Sequence, residues 1–322
     1  MTHGAPAAAL TLAFALGVPL AARAQTPVTP PATTATSPAP GTVPAPVSTA
    51  APGTVPAPPL TPAEKAEREA HEAQLTPIVP LPKNVTKTAY QLYAQTDLPL
   101  LGIGLVLASA RLVRTQAAYC APLCNPADLN PLDRTTAGFW NVGWSTASDI
   151  GLYGLMGLAA TVLVTDEGIL PALNDAVVVA ESALTATALS SLVTVAAGRP
   201  RPFLYGEQAP LDTRNSADAG LSFLSSHATV GFAIATSMYL TERRLHPGEA
   251  FPYLVLGAGL AMASFVGTAR VMAGRHFITD SLGGAIVGTS VGVLIPALHG
   301  SPVTLAPTVT PNAGSLSVVG AF

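Results

Sequence analysis

Charge is what this 322-residue chain has least of: Lys, Arg, Asp and Glu together make up 10% of it. A soluble domain usually carries about 25%, so an ordinary water-soluble globular protein is disfavoured. The net charge is −3 and no stripe of Lys or Arg exists, which argues against a nucleic-acid partner. Cysteine is equally scarce, with Cys120 and Cys124 alone. With no His nearby they are too few for a metal centre. Two Cys this close in an exported loop read as a local disulfide. What is abundant is apolar: 49% of residues are hydrophobic and the mean hydropathy is +0.45. This composition points to the membrane or the cell envelope.

The N-terminal region divides by composition. Residues 8–20 form an apolar run too short to span a bilayer comfortably. Ala22-Arg23-Ala24 follows as a small-x-small cleavage signature. Residues 1–24 therefore read as a secretory signal peptide, although the stretch before the apolar run lacks Lys and Arg. Residues 25–62 hold 12 prolines and repeat APGTVPAP at 39–46 and 51–58. Such a tract cannot build a core and reads as an extended, disordered tether. Residues 63–88 are a short charged lead-in. At the other end, residues 300–322 alternate β-branched positions around Asn312-Ala313-Gly314, the signal of a β-hairpin or a loose tail.

Between 89 and 299 lie six apolar segments, at 91–113, 137–165, 170–197, 222–243, 251–272 and 277–298. All are rich in Ala, Gly, Leu and Val, which suits close helix contacts in a bilayer. The polar intrusions Asp149, Asp175 and Glu181 read as helix ends or interhelical hydrogen bonds. The first segment is the shortest in purely apolar length. With a cleaved signal it lies on the surface and five spans follow; with an uncleaved N-terminus inside, six spans follow. Either way the loops near 199–220 and 270–276 face out, and Arg243-Arg244 face in.

Three stretches concentrate Arg and His in a chain poor in both: Gly198-Arg199-Pro200-Arg201-Pro202, Ser225-Ser226-His227, and Arg270-x5-His276-x3-Asp280. All sit at helix ends on the outer side. Arg201 and Arg270 each offer a donor fork that matches phosphate oxygens. Ser225 is a good N-cap, and the backbone N–H groups behind it bind anions. His276 and Asp280, four apart on one helix, would share a face. The carboxylate would then hold one imidazole nitrogen and sharpen the other as a nucleophile. His227 can protonate a leaving oxygen.

In these motifs the chain resembles the type 2 phosphatidic acid phosphatase (PAP2) superfamily, whose signature is K-x6-R-P, P-S-G-H and S-R-x5-H-x3-D. The resemblance implies an all-α, six-helix bundle embedded in the membrane. It also implies hydrolysis of a phosphate monoester or diphosphate through a phosphohistidine. His276 would be the nucleophile, Asp280 its orienter and His227 the acid–base. Arg201, Arg270, Ser225 and Ser226 would hold the phosphate, and neither metal nor cofactor is called for. The expected partners are a phosphorylated lipid or small phosphate ester and the membrane, with the site facing the periplasm from the inner membrane. A soluble periplasmic acid phosphatase and a degenerate lipid-phosphate binder are the competing readings. Vanadate-dependent haloperoxidation is a weaker one. The chain departs from the pattern in that Thr194 stands where the signature has Lys, with Leu224, Ser226 and Ala269 at three other motif positions. Arg199 is the candidate to replace the missing cation.

Overall fold

Each of the six apolar segments becomes a helix in the computed structural model. They are α1 (Ala94–Ala108, prolonged by the 3-10 turn Ser109–Val113), α2 (Val142–Glu167), α3 (Ile169–Ala197), α4 (Ser226–Leu245), α5 (Phe251–Met272) and α6 (Ile278–Gly300). The structure describes residues 88–300, Pro62, Ile78 and the backbone of three strands, Leu10–Leu12 (β1), Val303–Thr310 (β2) and Ala313–Gly320 (β3). The rest of the signal-peptide stretch, the Pro-rich tether and the charged lead-in lie outside the described residues. The strands form an antiparallel sheet in the order β1-β3-β2, with Thr310 paired to Ala313. Ala313 and Gly314, placed at the turn by the sequence pattern, belong to β3.

Local chemistry sets the helix ends. The Asn141 side chain accepts from the Trp144 N–H to cap α2, and the Ser225 hydroxyl accepts from the Ala228 N–H to cap α4. Gly198 closes α3 in the left-handed region, at φ 55°. Hydrogen bonds between loops then gather one end of every helix. Asn141 N donates to Ala273 O, Phe203 N to Gly274 O, and Ser225 N to Asp280 O. The ends of α3 and α5 thereby meet the starts of α2, α4 and α6, and Arg111 in the turn after α1 reaches Thr194 near the end of α3.

Helix α4 is the axis of the bundle and packs on α6, α5, α3 and α2. Contact with α6 is backbone-close because Gly284, Gly288 and Gly292 line one face of α6. A Cβ at Gly288 would overlap the Thr229 carbonyl oxygen, and one at Gly292 would sit 2.5 Å from that of Ala233. This is the small-residue solution to packing between apolar helices.

Among the described residues, five stretches are long and apolar enough to cross a membrane: Ala94–Val113, Val142–Glu167, Ile169–Tyr205, Phe251–Met272 and Ile278–His299. By length and composition the first segment qualifies, as the six-span reading has it; α4 is too polar to qualify, although it runs from the site end of the bundle to the opposite end. Surrounded by other helices, α4 can bury Thr229, Thr236, Ser237, Thr241 and Glu242. Ser237 meets Ser182 at 3.1 Å, and Thr236 donates to the Phe232 carbonyl. The outer helices show apolar side chains instead, among them Val106, Ile150, Leu254 and Ile286. Such a girdle is made for lipid, and it disagrees with the soluble acid phosphatase reading. The intrusions Asp175 and Glu181 find interhelical partners, in the backbone N–H groups of Ala89 and Tyr90 and in His299.

Replacing Gly288 with alanine is expected to destabilise the bundle by about 1–3 kcal/mol, the usual cost of overpacking. Thermal unfolding in detergent reads this as a lowered midpoint; an unchanged midpoint would contradict the close α4–α6 contact.

Candidate active site

His276 lies in the loop between α5 and α6 and is 2% exposed. Two observations explain why the loop holds it there. Gly274 has φ +70°, and a Cβ on it would overlap the Phe139 carbonyl, so only glycine permits this turn after α5. The Asp280 carboxylate then accepts from the Phe277 N–H at 2.8 Å, capping the start of α6. His276 thus precedes the helix. Its Nδ1 meets the Ser222 carbonyl at 2.6 Å, while the Asp280 carboxylate stands 4.0 Å away. This corrects the expected contact: the four-residue spacing puts two side chains on one face only where both are helical. Asp280 acts one step removed, accepting from the Ser222 hydroxyl and from Arg199.

A carbonyl can only accept, so Nδ1 carries the proton and the lone pair lies on Nε2. Nε2 has no hydrogen-bond partner among the described residues. Burial pushes the His276 pKa well below its ordinary 6.5; Arg201 and Arg270 push the same way, the Ser222 carbonyl opposes, and Arg111 adds to the fall. The ring is neutral, desolvated and surrounded by guanidiniums.

His227 enters from the first turn of α4. Its Nε2 lies 2.8 Å from Asp149 Oδ1 on α2. Arg270, at the end of α5, reaches the same carboxylate at 3.5 Å and the hydroxyls of Ser145 and Ser148 at 3.4 and 3.3 Å. Its Nε is buried without a partner. Arg201 donates from Nε and Nη2 to Asp218 and from Nη1 to the Arg275 carbonyl. Burial alone would raise the Asp218 carboxyl, but Arg201 and Arg275 beside it hold its pKa below the usual value.

The other sequence candidates sit differently. Arg199 lies between two buried carboxylates, Asp133 at 2.7 Å and Asp280, and stacks 4.3 Å over the Phe277 ring. Its nitrogens are engaged by carboxylates, so it is not placed as the replacement cation. The Ser226 hydroxyl bonds Ser190 at 2.7 Å inside the bundle, and the Ser225 hydroxyl caps α4. Cys120 and Cys124 are joined in a disulfide in the α1–α2 loop. Groups spaced to hold a metal occur towards the opposite end of the helices, at Asp97–Glu181–His299 and Asp166–Glu242–His246. His276 is thus a neutral imidazole close to the guanidiniums of Arg201, Arg270 and Arg111, and Arg270 shares the Asp149 carboxylate with His227.

Residues 175–301, from α3 through α6, match the model of the PAP2 superfamily. Over this region the chain is similar to the PAP2 superfamily. A curated relative, the lipid A 1-phosphatase of Porphyromonas gingivalis, is 37% identical over 81 residues, which is 25% of this chain and 17% of that protein. The chain thus spans about a sixth of that relative's length. Among solved structures, a transmembrane PAP2 type phosphatidylglycerolphosphate phosphatase from Bacillus subtilis is 21% identical with a TM-score of 0.38. The match covers 63% of this chain and 94% of that one.

Three parts of the candidate site escaped the sequence reading. Ser222 contributes a carbonyl, which carries no residue signature. Asp149 was visible as an ionisable group in an apolar segment, but its partner His227 lies 78 positions away. Asp133, which anchors Arg199, sits in a short loop helix with no motif around it.

Two outcomes follow. Arg199→Ala leaves Asp133 and Asp280 without their shared cation and is expected to cost about 3 kcal/mol of stability; an unfolding midpoint equal to wild type would contradict that structural role. In the unfolded chain His276 takes up a proton near pH 6.5, whereas in the folded protein it stays neutral to much lower pH. The folded state is therefore expected to lose stability as pH falls through 6.5. Part of this loss should vanish in His276→Ala, as followed by unfolding midpoints across pH; identical profiles would contradict a neutral His276.

Proposed function

We propose that this PAP2-like domain is a phosphatase that hydrolyses the phosphate of a membrane lipid through a phosphohistidine. The observation that carries the reading is His276: Nδ1 fixed on a carbonyl, Nε2 unpartnered, water largely excluded and cations on several sides. A buried neutral imidazole has its lone pair available at ordinary pH. Guanidiniums around it stabilise the charge of a transferring phosphoryl group.

In the first step His276 Nε2 attacks phosphorus. A P–N bond forms, the bond to the ester oxygen breaks, and His227 gives its proton to the departing alcohol. In the second step His227 takes a proton from water as the water oxygen attacks phosphorus. The P–N bond breaks and its electron pair returns to Nε2. Asp149, 2.8 Å from His227 Nε2, orients that ring and offsets the charge it gains when protonated. Each proton that leaves a ring is replaced, so the enzyme ends as it began.

The lipid assignment rests on placement. The site lies where helix ends meet, beside a bundle whose outer faces are apolar. A lipid can keep its chains in the bilayer while its phosphate reaches His276. The lipid A 1-phosphatase relative supports the same class. The Cys120–Cys124 disulfide lies in a loop at the site end of the bundle, which supports an oxidising, periplasmic side for the chemistry. Arg243-Arg244 at the other end of α4 favour the cytoplasm.

The purified chain in detergent is expected to release phosphate from a short-chain lipid phosphate and to prefer it over a water-soluble aryl phosphate. His276→Ala should lower the rate by at least about 10³-fold while the protein stays folded. Equal release by wild type and His276→Ala would refute the proposal.

A further inference from the structure

The PAP2 signature places a lysine seven residues before Arg201, where this chain has Thr194. That gap was the strongest argument for a degenerate, inactive site. The structure puts another cation at the same place. Arg111, in the 3-10 turn that prolongs α1, donates from Nη2 to Thr194 Oγ1 at 3.3 Å. The Thr194 hydroxyl donates to the Ser190 carbonyl one turn back on α3, and the Leu224 carbonyl, next to the Ser225 cap of α4, lies 3.3 Å from the same oxygen. The Arg111 guanidinium therefore lies against the α3 position from which the lysine would project.

Two further observations show what this guanidinium faces. Its Nε is shut off from solvent and has no protein partner among the described residues. An unmet buried donor costs about 1–3 kcal/mol, a cost an anionic ligand removes. The positive charge also acts on the two groups that define the site: Arg111 is among the three guanidiniums that depress His276, and it adds to the cations that hold Asp218 ionised. Arg201 meanwhile has each of its three nitrogens engaged by Asp218 or the Arg275 carbonyl. Arg111 and Arg270 are the guanidiniums with a buried Nε left open.

We propose that Arg111 is a phosphate-binding residue of this site, supplying from α1 the cation that the PAP2 signature supplies from position 194 on α3. The arrangement moves one of the phosphate contacts onto a helix outside residues 175–301, the part that matches the family model. It also swaps a point charge for a planar fork able to hold two phosphate oxygens at once. Thr194 is then the acceptor that aims the fork. The inference rests on the phosphatase reading, and the test separates the two.

The full chain in detergent is compared as wild type, Arg111→Gln, Arg111→Lys and the double variant Arg111→Gln with Thr194→Lys. Each is measured for turnover of a short-chain lipid phosphate, for orthovanadate affinity by calorimetry and for its unfolding midpoint. Arg111→Gln is expected to lose about 10²-fold in kcat/KM and about tenfold in vanadate affinity, with Arg111→Lys between it and wild type. Thr194→Lys in the double variant is expected to recover most of both losses, which a merely structural defect would not allow. Wild-type behaviour of Arg111→Gln overturns the inference and leaves the phosphatase reading standing. Loss without recovery in the double variant overturns it equally. Vanadate binding that follows the expected order in a chain without turnover supports the inference and removes the phosphatase reading. A wild type that neither turns over nor binds vanadate removes both.

Discussion

One buried carboxylate holds the reactive end of this protein together. Asp280 accepts from Arg199, from the Ser222 hydroxyl and from the Phe277 N–H, and its backbone carbonyl accepts from Ser225. Those partners come from the α3–α4 connection, the residue that caps α4 and the loop before α6. Without Asp280 the Ser222 carbonyl has no fixed position, and without that carbonyl His276 has no fixed tautomer. Arg199 extends the tie to Asp133 and Thr279, so the loop after α1 joins the same network. A buried carboxylate is tolerated where it is paired and hydrogen-bonded, and Asp280 is both.

The network lets the bundle reconcile two opposed demands. A membrane protein minimises buried charge, whereas phosphoryl transfer needs several cations at one point. Here the cations stand at the rim, where helix ends leave polar backbone in any case. Asp149 and Asp218 offset Arg270 and Arg201 and hold their forks in position. Arg275 stacks 5.0 Å from the Trp140 ring, so aromatic faces also help to order the rim. Below it the chain is almost purely apolar on its outer faces. The buried polar residues are carried mainly by α3 and α4.

The sequence carried the architecture well because the signals were local. Apolar runs bounded by Gly198, Ser225 and Gly274 mark helix ends, and short-range capping chemistry decides each of them. The three Arg–His stretches were legible for the same reason, as composition anomalies at those ends. What stayed hidden was contact between distant segments. The His276–Asp280 spacing suggested a direct bond, but the helix begins two residues after the histidine, and the contact went to a carbonyl instead. Nothing in the sequence brings Arg111 to Thr194, 83 positions along. Arg199 read as a phosphate ligand because the two carboxylates that hold it, Asp133 and Asp280, lie far away in the chain. Helix α4 gave no sign that it would sit at the centre of the bundle, because its buried serines and threonines look small and neutral in a composition count.

The account depends on His276 Nε2 as the atom that bonds phosphorus. Rapid-quench trapping with a lipid phosphate labelled at phosphorus tests this directly. Digestion of the quenched protein should place an alkali-stable, acid-labile label on the peptide that contains His276, and none should form in His276→Ala. Label on another residue, or label that survives in His276→Ala, would contradict the account.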